Sequence, residues 1–172
     1  MLNTCLLSGK ALKIFAICSF LFSFHPIFAD NIIIEERNIS GFTKVIINGD
    51  FDVYLAQGKD ELVKIEAESK LVKLVRTENK NGELNIFLDK DLKKFKIIKI
   101  FITFTDLEQL YVLGNNNIRA NETLDFKNSI RFIFGGNSNI NMDFEACKTD
   151  CDIMDAADCY LSGKTDTLIL KT

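Results

Sequence analysis

Four aspartates near the end of the sequence have the residue types and spacing that could do chemistry. Asp150 and Asp152 are two positions apart, so a β-strand would place both carboxyl groups on one face. Glycosidases use two carboxyl groups held about 5 to 9.5 Å apart. The pair would therefore suit a polysaccharide-cleaving lyase or hydrolase, and with Asp155 and Asp158 it could also form a calcium site.

The residues around these acids favour neither interpretation. A lyase also needs a base or a cation, and Lys148 and Lys164 are the ones at hand. The Gly-Gly-x-Gly-x-Asp pattern of calcium-binding repeats is absent from the sequence. Acids that keep an exposed strand soluble explain the cluster better, because charged residues on an outer face need no further reason. We therefore expect no catalytic residue, metal or cofactor, and keep Asp150 and Asp152 as the acids of an alternative, enzymatic function.

Three cysteines with the spacing C-x3-C-x7-C, Cys147, Cys151 and Cys159, are a second candidate group. A structural zinc site generally needs four ligands, and the one histidine of the chain, His25, lies far away in the sequence. Cys151 falls on an apolar position, where a free thiol behaves as a small hydrophobe. We expect buried or singly paired cysteines here.

The N-terminus predicts export. Two lysines precede an apolar run, IFAICSFLFSFHPIFA, which stops at Ala29. This is the pattern of a secretory signal peptide over residues 1–29, and the run is shorter than the ~20 residues that span a membrane. A lipoprotein signal at Cys18 is disfavoured because the residue before it is not small. We expect residues 30–172 to form one domain in the periplasm, at the outer membrane or at the cell surface, with no membrane-spanning segment.

The charge pattern argues against nucleic acid as a partner. The chain has a net charge of −3, and no basic stripe with interleaved aromatic residues is present. We interpret its lysine-rich stretch as a solvated connection that discourages edge pairing. That stretch contains Lys90, Lys93, Lys94, Lys96 and Lys99.

The rest of the chain predicts an all-β fold. Apolar and polar residues alternate in ELNIFL and in KIIKIFITF, which indicates strands with one buried face. A short helix is predicted only for ESKLVKLV, residues 68–75, and a turn for residues 79–82. The stretch up to Phe104 is expected to form an antiparallel, meandering β section.

From Leu107 onward, the sequence repeats roughly every 20 to 22 residues, which is typical of a β-solenoid. Each coil of such a fold buries its apolar side only by stacking on its neighbours. A polar turn recurs as GNNN, GGNSN and DAADC. Aligning the repeats predicts three core columns, which are Leu110 with Ile130 and Cys151, Val112 with Phe132 and Ile153, and Ile118 with Ile140 and Leu161.

The asparagines of the repeats are predicted to form the corners. An amide side chain tolerates a left-handed backbone and can bond to the equivalent residue one coil up. A polar edge that binds a ligand is the alternative role for the same residues. With the corner role, Asn116→Ala should cost far less stability than Phe132→Ala. The corner residues are Asn115, Asn116, Asn117, Asn137, Asn139 and Asn141.

Several motifs together resemble a known family. They are Phe-x-x-Val from Phe42, Gly-x-Phe-x-Val-x-Leu from Gly49, Asn-Gly-x-Leu-x-Ile from Asn81, and coils of the form L-x-x-L-x-V-x-G-x-x-x-I. From about Ile39 to Thr172 the chain resembles the head GIN domain of auto-transporter adhesins, found in exported bacterial proteins. The family's coils usually carry Ser-Gly-Ser-Gly corners, whereas this chain has LGNNN, FGGNSN and MDAADC.

The resemblance implies a right-handed β-helix-like solenoid outside the cytoplasm, with an adhesive role and no assigned catalytic residues. We therefore expect a non-enzymatic binding module for carbohydrate, matrix or another surface protein. A β-helix lyase or hydrolase is the alternative. Residues 160–172 are expected to form an open edge through which the protein associates with a second copy or with a strand of another protein.

The signal peptide gives a direct prediction. Because the apolar run ends at Ala29, N-terminal sequencing of the protein purified from the cell envelope should begin at Asp30. An intact Met1, or a lipid attached to Cys18, would contradict it.

Overall fold

The computed structural model describes residues 31–90 and 96–172. The expected signal peptide with its cleavage site at Ala29 lies outside the described residues, as do Lys93 and Lys94 of the lysine-rich stretch. The described residues are all-β apart from one short helix, α1 (Ser69–Val72). The helix predicted around residues 68–75 is therefore confirmed in a shorter form.

Twelve strands are formed by the described residues, and several are much longer than the sequence pattern indicates. In chain order they are β1 (Ile32–Arg37), β2 (Lys44–Gly49), β3 (Asp52–Gln57), β4 (Leu62–Glu68), β5 (Val75–Lys80), β6 (Glu83–Leu88), β7 (Lys99–Phe104), β8 (Gln109–Gly114), β9 (Asn117–Ala120), β10 (Leu124–Phe134), β11 (Asn139–Ile153) and β12 (Asp158–Lys171).

These strands form one curled, open sheet. Its hydrogen-bonded order is β1-β4-β7-β3-β9-β11-β10-β8-β2-β6-β5, and β12 pairs with β11. The long strand β11 belongs to both halves of the curl, because its first residues pair with β9 and its later residues with β10. The sheet therefore wraps around a core and presents its other surface to solvent.

Most of the stacking is parallel. In one half of the curl, Val45 lies between Leu84 and Leu110 in neighbouring strands. In the other half, Val53 lies between Ile100 and Ile118. All six of these side chains are fully buried. Residues far apart in the sequence therefore form continuous apolar columns, and each strand covers the side chains of the next.

Antiparallel pairing is confined to the pairs β1–β4, β4–β7 and β5–β6. Our expectation of an antiparallel section up to Phe104 was wrong for β2 and β3, which pair in parallel with β8 and β9. The reason is the bend at Gly49, which lies directly beside the bend at Gly114. Residues 44–57 therefore follow the same path as residues 109–120.

The core is rich in phenylalanine. Phe132 is fully buried, and its ring centroid lies 5.3 Å from that of Phe144, 5.4 Å from Phe134 and 5.8 Å from Phe126. The edge-to-face geometry of two of these contacts favours aromatic rings beyond the burial of their area. Ring packing therefore holds the two halves of the curl together around Phe132.

The register of the columns differs from the one that the sequence alignment predicts. Leu110 pairs with Phe132 and not with Ile130, and Phe132 in turn pairs with Cys151. In the same way Phe134 joins Val112 to Ile153. All of these residues point inward. The predicted alignment was therefore wrong by two residues in the middle repeat, where Phe132 and Phe134 take the places expected for Ile130 and Phe132. Period-two alternation cannot detect such a shift, because it leaves every side chain on the same face.

The third predicted column is shifted as well. Ile118 pairs with Ile140 as expected, but Ile140 then pairs with Cys159, while Leu161 lies beside Met142. The coil from Leu110 to Phe132 is three residues longer than the coil that follows it. A repeat of constant length therefore cannot align both coils.

The corners fix this register. Gly114 and Gly136 have φ angles of +99° and +73°, and Asp155 takes the equivalent left-handed position with φ of +59°. A Cβ atom on Gly114 would lie 2.2 Å from the carbonyl oxygen of Gly49, and one on Gly136 would lie 2.3 Å from that of Gly114. Only glycine permits both the backbone angle and this close stacking.

The corner asparagines behave partly as predicted. The Asn137 amide donates to the Asn115 side-chain oxygen at 3.2 Å, one strand away, which is the expected ladder. The left-handed positions, however, are held by glycine and aspartate. Asn116 is buried, and its amide donates to the Leu113 carbonyl at 2.7 Å while its oxygen accepts from the Phe51 N–H at 3.3 Å. Our expectation of a mild effect at Asn116 therefore changes.

We predict that Phe132→Ala lowers the free energy of unfolding by about 3 to 5 kcal/mol, since a buried ring is deleted. Asn116→Ala should cost about 1 to 3 kcal/mol, because the buried N–H of Phe51 loses its acceptor. The control is Asn117→Ala, an exposed corner residue bonded to Asp52 at 2.7 Å. Thermal melts should give it a much smaller loss, and equal losses for the two asparagine variants would contradict the buried role of Asn116.

Candidate functional site

Of the four aspartates that the sequence singled out, Asp150 and Asp152 lie on the outer face of β11. Asp150 and Asp152 alternate with the buried Cys151, so they share a face as predicted. Across the strands Asp150 lies beside Arg131, and the Lys171 ammonium is 3.5 Å from its carboxylate. Both aspartates are half-buried, and Asp150 forms an ion pair with a cation of the neighbouring strand. Among the described residues, no group of three or more acids, cysteines or histidines is placed to hold a metal ion.

Asp155 has a role in the backbone. Its carboxylate accepts a hydrogen bond from the Gly136 N–H at 3.1 Å, so it closes the last polar corner in place of a glycine. Asp158 pairs with Asn139 in the next strand and is exposed. The four acids therefore do not converge on one point.

The cysteines are free thiols in the structure, and none of the three is paired. Cys147 is exposed, Cys151 is buried and Cys159 is partly buried. Burial raises the pKa of the Cys151 thiol to about 12, and it also raises the pKa of Cys159. Because the thiolate is the nucleophile and the metal ligand, Cys151 acts as a core residue at neutral pH.

A cleft that was not predicted from the sequence lies on the outer face of β3 and β7. The rings of Tyr54 and Phe101 stack there, with centroids 4.9 Å apart and planes inclined by 15°. Both side chains are half-buried. The cleft has a volume of about 530 Å³ and is also lined by Thr103 and by Asn121 and Glu122 of the loop after β9. Such a volume is in the range of ligand-binding clefts.

The polar groups at the rim of the cleft are held by the fold. The Gln57 amide donates to the Asp125 carbonyl at 2.7 Å and accepts from the Asp125 N–H at 2.9 Å, which ties β3 to the chain that follows the loop. The Lys64 ammonium lies 2.6 Å from the Glu36 carboxylate. The stacked rings of Tyr54 and Phe101 are therefore bordered by hydroxyl, amide and charged groups, of which Gln57 and Lys64 are held by these contacts.

One signal for the cleft is present in the sequence. Alternation in DVYLAQ and KIFITF places Tyr54 and Phe101 on the outward side of their strands. An aromatic residue at an outward position is not unusual by itself. The register that brings the two rings together joins strands distant in the sequence, and pattern analysis does not provide it.

A second cleft, of about 410 Å³, is lined by Ile32, Ile97 and several charged residues. Its charges are already paired: Lys99 lies 2.7 Å from Glu66, and Lys96 lies 2.5 Å from Glu68. Hydrogen bonds from Lys70 and Lys96 lower the pKa of Glu68 to about 2. The lysine stretch thus contributes ion pairs between β4 and β7 and is not only solvated.

The last strand borders a third cavity, of about 280 Å³. Its lining includes Cys151, Cys159 and two leucines of β12, Leu168 and Leu170. These leucines are 59% and 56% exposed, although they pair with the buried residues Thr149 and Cys151 of β11 and so lie on the inward face of β12. Within the described part of the chain, β12 pairs with β11 only.

The fold and the cleft define an all-β protein with a curled sheet and an outward-facing aromatic site. Comparison with protein families gives the same class. The family described as "Putative auto-transporter adhesin, head GIN domain" matches residues 41–172. The chain belongs to this family, which confirms the resemblance seen in its motifs.

Solved structures share the fold. A putative adhesin from Bacteroides fragilis matches at TM-score 0.76 and 19% identity, and the match covers 81% of this chain and 66% of the adhesin's chain. A putative lipid binding protein from Parabacteroides distasonis matches at TM-score 0.65 and 20% identity, over 83% and 63%. A putative adhesin from Parabacteroides merdae matches at TM-score 0.52 and 14% identity, over 83% and 78%.

At these identities the likeness shows a shared fold and no more. The chain spans just under two thirds of the length of the first two structures. No curated protein matches the sequence. In the described part of the chain, no helix has the length and apolar character needed to cross a membrane.

Proposed function

We propose that this protein is an exported, non-enzymatic binding module of the cell envelope, located in the periplasm, at the outer membrane or on the cell surface. Its family description as an auto-transporter adhesin supports a role in binding surface molecules. The pattern of residues 1–29 supports export. Residues 30–172 would then form one domain, a right-handed β-helix-like solenoid.

The parallel strand pairs support the solenoid. Successive coils of roughly 20 residues, the lower end of the range for solenoid repeats, place Leu110, Phe132 and Cys151 in one buried column. The left-handed corners at Gly114, Gly136 and Asp155 recur once in each coil.

The cleft floored by Tyr54 and Phe101 is the observation that carries the binding function. Half-buried aromatic rings on a rigid strand face give contact area at little cost in side-chain entropy, which is why aromatic residues dominate binding sites. The stack lies on regular strands, so its geometry is set before a partner arrives. Carbohydrate, matrix or another surface protein could each use such a floor.

An enzyme that cleaves polysaccharide is supported less well. Its acids would be Asp150 and Asp152, and these lie beside Arg131 and Lys171 on a strand face. A catalytic pair needs two carboxyl groups in different environments that push their pKa values apart.

We predict that Tyr54→Ala weakens binding of the mature protein to cell-envelope preparations of the producing bacterium by about tenfold, since a central aromatic contact is lost. The control is Tyr111→Ala, which removes a half-buried outward tyrosine from β8, in the other half of the curl. Binding is measured by co-sedimentation with labelled protein, and melting curves establish that both variants are folded. Equal binding by the two variants, or no binding by the parent, would contradict the proposal.

Self-association through residues 160–172 is a second candidate, favoured by the exposed leucines of β12. Among the described strands, β1 and β5 are, like β12, paired with one neighbour only. The β5 strand carries charged side chains such as Arg76 and Glu78, which discourage edge pairing. We propose that two copies pair β12 against β12 around a twofold axis. The apolar side chains of both strands would then cover each other.

This gives a separate prediction. Light scattering after size exclusion should show a dimer in the micromolar range, and Leu168→Lys with Leu170→Lys should make it monomeric. Ile32→Lys with Ile34→Lys, at positions 65% and 63% exposed on β1, is the matched control and should leave the dimer intact. A parent that stays strictly monomeric, or a dimer that persists in the leucine variant, would exclude this edge.

A further inference from the structure

The aromatic cleft is part of a longer row of outward side chains that crosses the strands. Neighbours in the register are Lys64 of β4, Phe101 of β7, Tyr54 of β3, Arg119 of β9, Asn141 of β11 and Tyr160 of β12. We name these six residues the transverse row. Each lies one strand from the next, so the row has a rise of about 4.8 Å per position and a length of about 25 Å.

The transverse row contains both aromatic and polar side chains, at different places along its length. The stacked rings of Tyr54 and Phe101 lie near one end, and Tyr160 lies at the other with 66% of its surface exposed. Arg119 and Asn141 stand between them, and both are exposed. Aromatic surface is thus present at two places, with hydrogen-bond donors and an amide acceptor in the gap.

This order fits a chain of pyranose sugars. A pyranose ring has an apolar face of C–H groups, which packs on an aromatic ring, and an edge of hydroxyl groups, which bonds to amide and guanidinium groups. The strand spacing is close to the length of one sugar unit along an extended polysaccharide. A linear glycan lying across the strands would therefore place about one unit on each strand.

The charges around the row favour a neutral glycan. Lys64 is paired with Glu36 at 2.6 Å. The charged members of the adjacent row of outward residues are Glu66, Lys99, Asp52 and Asp158, and Lys99 is paired with Glu66 at 2.7 Å. The carboxylates of Asp52 and Asp158 would repel a polyanion, whereas they can accept hydrogen bonds from hydroxyl groups.

We propose that the transverse row binds a neutral, linear polysaccharide that runs perpendicular to the strands, with the Tyr54–Phe101 cleft as the principal subsite and Tyr160 as a distal one. This inference rests on the proposed binding function and assigns its partner class.

The test is native affinity electrophoresis in gels that contain one neutral polysaccharide each: laminarin, hydroxyethyl cellulose, galactomannan or xylan. At least one gel should retard the mature protein. Tyr54→Ala should reduce the affinity at least tenfold, while Tyr111→Ala should leave it unchanged. Because the row lies on rigid strands, affinity for oligosaccharides of the retained polymer should rise with length up to about six units.

Tyr160→Ala is the second variant. Its exposed side chain can be removed without disturbing the core, so it should weaken binding of the six-unit oligosaccharide and leave that of a disaccharide unchanged. No retardation by any of the four polymers, equal retardation of all variants, or tighter binding of polygalacturonate would overturn the inference.

Periodate separates this inference from the proposed function. It oxidises the vicinal diols of 1,4-linked glycans, whereas 1,3-linked chains such as laminarin lack them, so excess laminarin is added as a competitor for such chains. Periodate and laminarin together should abolish the Tyr54-dependent binding to envelope preparations. If that binding survives both, the protein is a binding module for another surface molecule and the glycan assignment fails. If the untreated envelopes bind parent and Tyr54→Ala protein equally, the proposed site itself fails.

Discussion

The structure depends on a single constraint at its corners, where successive strands turn with their backbones in close contact. Gly114 stacks on Gly49, and Gly136 stacks on Gly114, at distances that leave no room for a side chain. Gly114 and Gly136 both have left-handed φ angles. Once these corners are stacked, β8 is in register with β2 and with β10, and β9 is in register with β3 and with β11. The same register then aligns the apolar columns inside and the rows of polar and aromatic residues outside.

Because side chains alternate along each strand, the inward face of the sheet forms the stabilising core and the outward face carries the residues available for binding. Inward positions carry the phenylalanine cluster around Phe132, whose rings contact one another across strands. A packed interior of this kind resists local opening, because deleting one ring leaves a cavity that the neighbours cannot fill. Side chains at outward positions do not have to pack into the core. They include the stacked rings of Tyr54 and Phe101, which are therefore held in place by a rigid core without being part of it.

The end of the curl that holds β1 and β5 differs from the end that holds β12, and the difference affects which partners each can bind. At the β1 and β5 end, antiparallel strands and the helix α1 cover the core with the buried Leu71 and Val72. Arg37 donates hydrogen bonds to the carbonyls of Val72 and Val75 at 3.1 and 2.8 Å, so the backbone groups at the helix end are satisfied. The β12 strand has exposed leucines instead. Binding on the outer face and pairing at β12 use different surfaces, so both can operate in one protein.

The sequence alone determined the all-β class, strands such as ELNIFL and KIIKIFITF with their buried side, and the family, because alternation and local turn residues are short-range properties. The inward set Ile98, Ile100 and Ile102 and the turn at Asn81 and Gly82 are confirmed by burial and by positive φ angles. Only the tertiary structure decided the register and hence the site. A shift by two residues buries the same side chains, so the pattern could not choose between Ile130 and Phe132 as the partner of Leu110. Nor could it place Tyr54 beside Phe101, because that contact depends on the parallel pairing of β3 with β7, two segments distant in the sequence.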